Sequence, residues 1–261
     1  MSASLSVRSS FTGVANTMAI LRRELAAFFF SPVAYVVMFL FVLSNGVAFY
    51  LYCAQFAGAP QHITYVVRSL FQFAFFWVLP LSPLLTMRLF SEEKRTGTLE
   101  MLMTAPVSPV QVVIGKFLAA QLFYMVVWST LLLFVVVLEV LGQPEGPDWG
   151  PVMSMYFGLF FLGTLTNSLG VFASSFSRNQ LVASILALTG NLLFFAVALG
   201  AWIYVDNPDF LRIFQFASFQ AHFSSDYIRG VIQLRYLVFY LSFMAFFLFL
   251  AVGMVESRKW R

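Results

Sequence analysis

The sequence predicts an all-α integral membrane protein with six transmembrane helices, on three observations. Hydrophobic residues make up 61% of the chain and charged residues 10%, with a mean hydropathy of +0.86; soluble domains sit near about 45–50% and 25%. Apolar runs of about 20 residues recur, the length a helix rising 1.5 Å per residue needs to cross roughly 30 Å of hydrocarbon. The 33 phenylalanines suit lipid-facing surfaces and exceed what a soluble core of this size can hide.

Taken in order, residues 1–15 have an arginine but no apolar signal-peptide core and read as a disordered cytoplasmic tail. The remainder, 16–261, reads as one transmembrane domain. In NTMAILRRELAAFFFSP, residues 16–32, Met18, Leu21, Leu25 and Phe28 share a narrow helical arc, with Arg23 and Glu24 pointing elsewhere and Arg22 at the edge. This is an interfacial helix leading into the first span, with a simple membrane anchor as the plainer alternative. The spans are placed at about 32–52, 67–89, 111–138, 152–174, 181–204 and 236–255, by length and apolarity. The third is long enough to tilt, or to begin as an interfacial turn around Lys116.

With both termini on the cytoplasmic side, that side holds Arg8, Arg22, Arg23, Arg88, Lys94, Arg95, Lys116, Arg178, Arg258, Lys259 and Arg261. Only Arg68, Arg212, Arg229 and Arg235 fall outside, a clear positive-inside bias. Trp149, Trp202 and Trp260 stand near span ends, where indoles favour the headgroup level.

Between the second and third spans lies FSEEKRTGTLEMLMTAP, residues 90–106. Glu92, Glu93, Lys94 and Arg95 together would cost about 10 kcal/mol at mid-bilayer, so they sit at or beyond the inner surface. Ser91 is expected to cap a helix whose first turn carries the two glutamates. After Thr96-Gly97-Thr98, Leu99, Leu102 and Met103 take one face, Glu100 and Thr104 the other, and Pro106 ends the run. The outcome is a short amphipathic element able to dock a protein, or else a solvated loop.

Within the bilayer, Ser154, Gly158, Thr166, Gly170 and Ser174 form one row at i, i+4 spacing in the fourth span, interrupted by Leu162. Such a row serves close helix packing or a dimer contact. Pro80 and Pro83 free backbone carbonyls in the second span and are candidates for a kink or gate. Asn45, Gln72, Gln121, Asn167 and Asn191 are expected to hydrogen-bond between helices, with no substrate role assigned.

The run MRLFSEEKRTGTLEMLMTAPVSPVQVVIGKFLA, residues 87–119, resembles the signature of ABC-2 type permeases, the membrane subunits of ABC exporters. ASSFSRNQLVAS at 173–184 resembles the family's inner hairpin, and HFSSDYIRGVIQLRYLVFYLS at 222–242 its segment before the last span. That last stretch and the ESRKWR tail resemble the gliding-motility (GldF-like) branch, which usually carries aspartates where this chain has Gln233 and Tyr236. The resemblance implies a coupling helix seated in an ATPase subunit, with Arg88, Ser91, Glu92, Glu93, Lys94, Arg95, Thr98 and Glu100 as its contact candidates and Arg88 tying the span end to the glutamates. It implies an interfacial connecting helix through Arg22, Arg23 and Glu24. It further implies two ATPase subunits that bind ATP and Mg, a second permease chain identical or related to this one, membrane lipid as surroundings and a bacterial inner-membrane location. Short outer-side helices around 210–233, with Asp226 and Arg229, would cover the exit.

No GxxxxGK[ST] loop is present, so the chain is expected to bind no nucleotide itself and to be no enzyme. No metal site is expected: His62 and His222 fall on the side opposite Glu92 and Glu93, which argues against an intramembrane metalloenzyme. A lone loop histidine is expected to be solvated. The basic balance reads loop by loop, with no nucleic-acid partner. A further alternative is a non-transporting subunit that passes ATP-driven motion to an outer-side, gliding-motility-type partner. Substrate identity is not encoded in these features.

Overall fold

The single lysine in the third span and the prolines of the second find their explanation in a helical bundle, obtained as a computed structural model that describes residues 2–58, 62–98, 107–142, 146–203 and 208–257. Among the described residues all regular structure is helical. The elements are α1 (Ser2–Phe29), α2 (Pro32–Gln55), α3 (His62–Phe75), α4 (Val78–Thr86), α5 (Arg88–Thr96), α6 (Pro109–Ser129), α7 (Leu131–Leu141), α8 (Trp149–Phe176), α9 (Gln180–Ile203), α10 (Pro208–Ala217), α11 (Phe219–Ser225), a 3₁₀ turn (Tyr227–Arg229) and α12 (Leu234–Glu256).

Five helices have the length and apolarity of a membrane span: α2, the joined α6–α7, α8, α9 and α12. A sixth arises if α3 and α4–α5, bent by 45° at their junction, count as one. The chain is therefore a multi-pass membrane protein. α1 begins at Ser2, within the stretch expected as an unstructured tail; no proline interrupts residues 2–29, and helix propagation meets no stop there.

The bent span follows from its prolines. Pro80 has no N–H for the carbonyl of Phe76, which instead accepts from Leu79 N at 3.3 Å as the chain turns between α3 and α4. Pro83 likewise deprives Leu79 O, and here Asn191 Nδ2, from α9, donates across the helix pair at 3.4 Å. A carbonyl orphaned in hydrocarbon needs such a donor, so Asn191 makes the kink affordable. Helix starts elsewhere are marked by Ser-Pro: Pro32 follows Ser31, and Ser108 forms a capping box with Gln111 ahead of Pro109.

α8 is the central post, with 78% of its apolar window buried against 17% to 33% in the other four. Its small-residue row lets neighbours in. A Cβ on Gly158 would stand 2.7 Å from the Tyr227 ring, and one on Gly170 would stand 2.0 Å from Thr86 Oγ1. Ser154 and Thr166 are buried beside them. The row thus packs against α4, α5 and the 3₁₀ turn, and its residues are buried within the protomer. Polar residues stitch α8 to α6: Asn167 Nδ2 donates to Gln121 Oε1 at 2.9 Å, and Gln121 Nε2 to Phe160 O at 2.9 Å. Asn45, by contrast, bonds within its own helix, to Phe41 O at 2.8 Å.

Candidate functional site: a charged node at the base of the bundle

Lys116 sits two turns into an apolar helix with its side chain 1% exposed, a position that demands partners. Gly115 provides for them. A Cβ there would lie 2.8 Å from Ile20 Cγ2 and 3.1 Å from Thr17 O, so only glycine lets α1 lie this close to α6. Ile20, Leu21 and Phe28 are buried on that face, Phe28 stacking on Phe123 at 5.1 Å, while Met18 stays largely exposed.

The close approach brings four charges together. Lys116 Nζ lies 2.9 Å from Glu24 Oε1 and 2.9 Å from Glu93 Oε1, and Arg23 bridges the same two carboxylates at 2.6 and 2.9 Å. The Lys116 ammonium also stands 5.2 Å over the Phe90 ring. α1, α5 and α6 are thereby tied at one point. Burial alone would raise the Glu24 pKa; the Lys116 charge and the Arg23 and Lys116 hydrogen bonds outweigh it and hold the carboxyl below its ordinary value. Glu24 therefore points into the bundle rather than away from it as the helical arc suggested, while Arg22 and Arg23 are exposed.

α5 carries the predicted contact residues, and the structure sorts them. Glu92, Arg95 and Thr98 are exposed. Glu93 is committed to the node. Lys94 is buried and donates to Ser175 O, so it braces α5 against the end of α8 instead of facing outward. Arg88 donates to Ser31 Oγ and Ala27 O and lies 5.0 Å over the Phe28 ring; its hydrogen bonds fix the α1–α2 corner, not the glutamates. Ser91 is no cap. It is buried inside α5 and donates to Met87 O. The capping role falls to Ser174 at the end of α8, whose Oγ accepts from Phe90 N at 2.9 Å and Ser91 N at 3.2 Å and donates to Met87 O at 3.1 Å. α5 stops at Gly97, in the left-handed conformation with φ 75°. Glu100 and the second half of the amphipathic element lie outside the described residues.

The sequence reading placed Ser174 in the small-residue row but missed its capping of α5, the Ser175 carbonyl that receives Lys94, and the pairing of Lys116. A lysine following glycine inside an apolar run, with an unpaired acid on a neighbouring amphipathic helix, was the usable signal for the last.

At the other end of the bundle, His222 is buried, contrary to the expectation of a solvated loop histidine. Phe216 O can only accept, so Nε2 carries the proton and donates to it at 2.9 Å, leaving Nδ1 to accept from Tyr240 at 3.0 Å. Burial pushes its pKa down to about 4 despite the Phe216 carbonyl. Asp226 accepts from Gln233 Nε2 at 2.7 Å and from Tyr236 at 2.6 Å. Among the described residues no three His, Cys, Asp or Glu side chains converge as metal ligands.

Comparison with known proteins agrees with this architecture. The family described as ABC-2 family transporter protein matches residues 29–194, which include α2 to α5, the central α8 and Lys116. No curated protein matches the chain significantly. Members of this family are membrane permeases that lack an ATPase domain, and with the match spanning more than half of its 261 residues, the chain belongs to the ABC-2 family of transporter membrane proteins.

Proposed function

We propose that this chain is the permease subunit of an ATP-driven exporter in a bacterial inner membrane, paired with a second permease chain and docked to two ATPase subunits that bind ATP and Mg. Both termini lie on the cytoplasmic side. The observation that carries the reading is the node of Arg23, Glu24, Glu93 and Lys116, which ties α5 to an interfacial helix and to a span. A push on α5 is then transmitted in two directions. Ser174 and Lys94 carry it into the central α8, and Lys116 carries it into α6 and α1. Docking uses Glu92 and Arg95 on the outward edge of α5, with Thr98 past its end and Glu100 further along the chain. The kink at Pro80 and Pro83 is where the second span yields.

Photocrosslinkers placed at Glu92, Arg95 and Thr98 in intact cells test this reading. Capture of a protein bearing a Walker-type ATP loop supports it, and capture of none at any of the three positions overturns it.

A second reading, of the gliding-motility type, is favoured by the outer helices. Gln233 and Tyr236, at the positions where that branch usually carries aspartates, both donate to Asp226, making a stiff outer cap suited to pass motion to an outer-side accessory partner. ATP hydrolysis insensitive to every candidate substrate but dependent on that partner would favour it.

A further inference from the structure

Beside the node, two adjoining clefts open at the base of the bundle, and their linings differ in kind. One, of about 380 Å³, is bounded by Arg95, Arg178 and Gln180 with their neighbours. The other, of about 320 Å³, shares Arg95 and Gln180 and continues between α2 and α4 along Val33, Val37 and Leu84. Arg95 and Arg178 are exposed, and among the described residues neither has an ion-pair partner. Val33 is 48% exposed, so the apolar wall runs out onto the surface of α2 that meets lipid. Glu92 is the acid in the lining; against it stand Arg88, Arg95 and Arg178, an excess of positive charge.

We infer that this double cleft holds one anionic phospholipid of the inner leaflet, its phosphate between Arg95 and Arg178 and an acyl chain along Val33, Val37 and Leu84. Basic pockets between spans at the cytoplasmic surface suit such headgroups, and guanidinium pairs phosphate through two donors at once. A docking protein would need the cations but not an apolar channel descending between two spans. The site places a lipid against α5 and the inner hairpin at 176–180, so lipid charge bears on the element that receives the ATPase. The inference rests on the proposed function for which leaflet is meant and for the ATPase beside it; lipid binding itself is measured without the ATPase.

The test is a titration of phosphatidylglycerol into the detergent-purified full chain, read by native mass spectrometry, with phosphatidylcholine as the neutral lipid and glycerol phosphate as the headgroup alone. Wild type is expected to retain phosphatidylglycerol in preference to both. At about 1 kcal/mol for each arginine near the surface, Arg178→Gln weakens retention on the order of fivefold and the double variant with Arg95→Gln roughly thirtyfold. Val33→Trp, which fills the apolar wall at an exposed position, weakens it too with both arginines in place. Equal retention of the two lipids, equal retention by wild type and the double variant, or binding of glycerol phosphate as strong as that of the lipid overturns the proposal. So does loss of ATPase capture in Arg178→Gln with lipid retention unchanged, which would make these arginines a protein-docking pair.

Discussion

Replacing Lys116 by methionine is the perturbation that separates a working node from a decorative one. The side chain is 1% exposed and contacts two carboxylates at 2.9 Å, themselves 12% and 17% exposed. At an effective dielectric of about 20, each contact carries roughly 6 kcal/mol of Coulomb attraction, and most of that is offset by the desolvation of the ammonium. What methionine leaves behind is decisive. Glu24 and Glu93 would face each other with only Arg23, 53% exposed, to hold them apart. Breaking one partner out of a buried pair costs about 3–5 kcal/mol, whereas a half-exposed cation contributes about 0.2–1 kcal/mol. Lys116→Met is therefore expected to lower stability by about 3 kcal/mol or more, and Arg23→Gln by less than 1. Thermal unfolding of both variants in the same detergent measures this. Adding Glu24→Gln to Lys116→Met is expected to recover part of the loss, because the like charges no longer meet. Equal, small losses for Lys116→Met and Arg23→Gln would refute the reasoning.

Other outcomes follow from the same geometry. Gly170→Ala drives a methyl to 2.0 Å from Thr86 Oγ1 on the neighbouring α4 and should cost about 1–3 kcal/mol, visible in thermal unfolding. Ser174→Ala removes the acceptor of two α5 amides; a loss of about 1–2 kcal/mol is expected, with hydrogen exchange at Phe90 and Ser91 as the readout. For His222, held at about 4 against an ordinary 6.5, the unfolded chain binds the proton first. Stability is thus complete above about pH 6.5 and falls as pH drops toward 4, by up to about 3 kcal/mol. His222→Gln should flatten that stretch of the stability–pH curve. Glu24 acts lower on the scale: its carboxyl is held below the ordinary 4.5, so its contribution is present above that value and lost as pH falls beneath it, and Glu24→Gln should remove that acid limb.

Much of the bundle was legible in the sequence because span length and apolarity are set by the bilayer, so α2, α8, α9 and α12 begin and end within a few residues of the runs that announce them. The second span was legible as a proline-bent helix, but the donor that rescues Leu79 O comes from Asn191, 112 residues away, and no local pattern names it. The small-residue row in α8 announced close packing without saying what approaches; Tyr227 and Thr86 answer from distant parts of the chain. At the candidate site the sequence located the charged stretch and its exposed Glu92, Arg95 and Thr98, but not the surroundings of the residues between them. Ser91, Lys94 and Glu93 looked like surface residues because the helix was taken to start at Ser91. It starts at Arg88, so Ser91 lies inside the helix, where it and Lys94, three residues apart, share the face turned to Ser174 and Ser175. Capping of α5 by Ser174 and neutralisation of Glu93 by Lys116 are both contacts over long sequence distance, which periodicity does not carry.

The most direct test of the account is ATP hydrolysis by the complex of this chain with the ATPase subunits proposed for it, in lipid nanodiscs, comparing wild type with Glu92→Lys, which reverses an exposed charge on α5 and leaves the node intact. Hydrolysis that depends on this chain and drops at least about tenfold in the variant, equivalent to about 1.4 kcal/mol of lost transition-state stabilisation, is the predicted result. An ATPase that hydrolyses equally with wild type, with the variant and without the chain would contradict it.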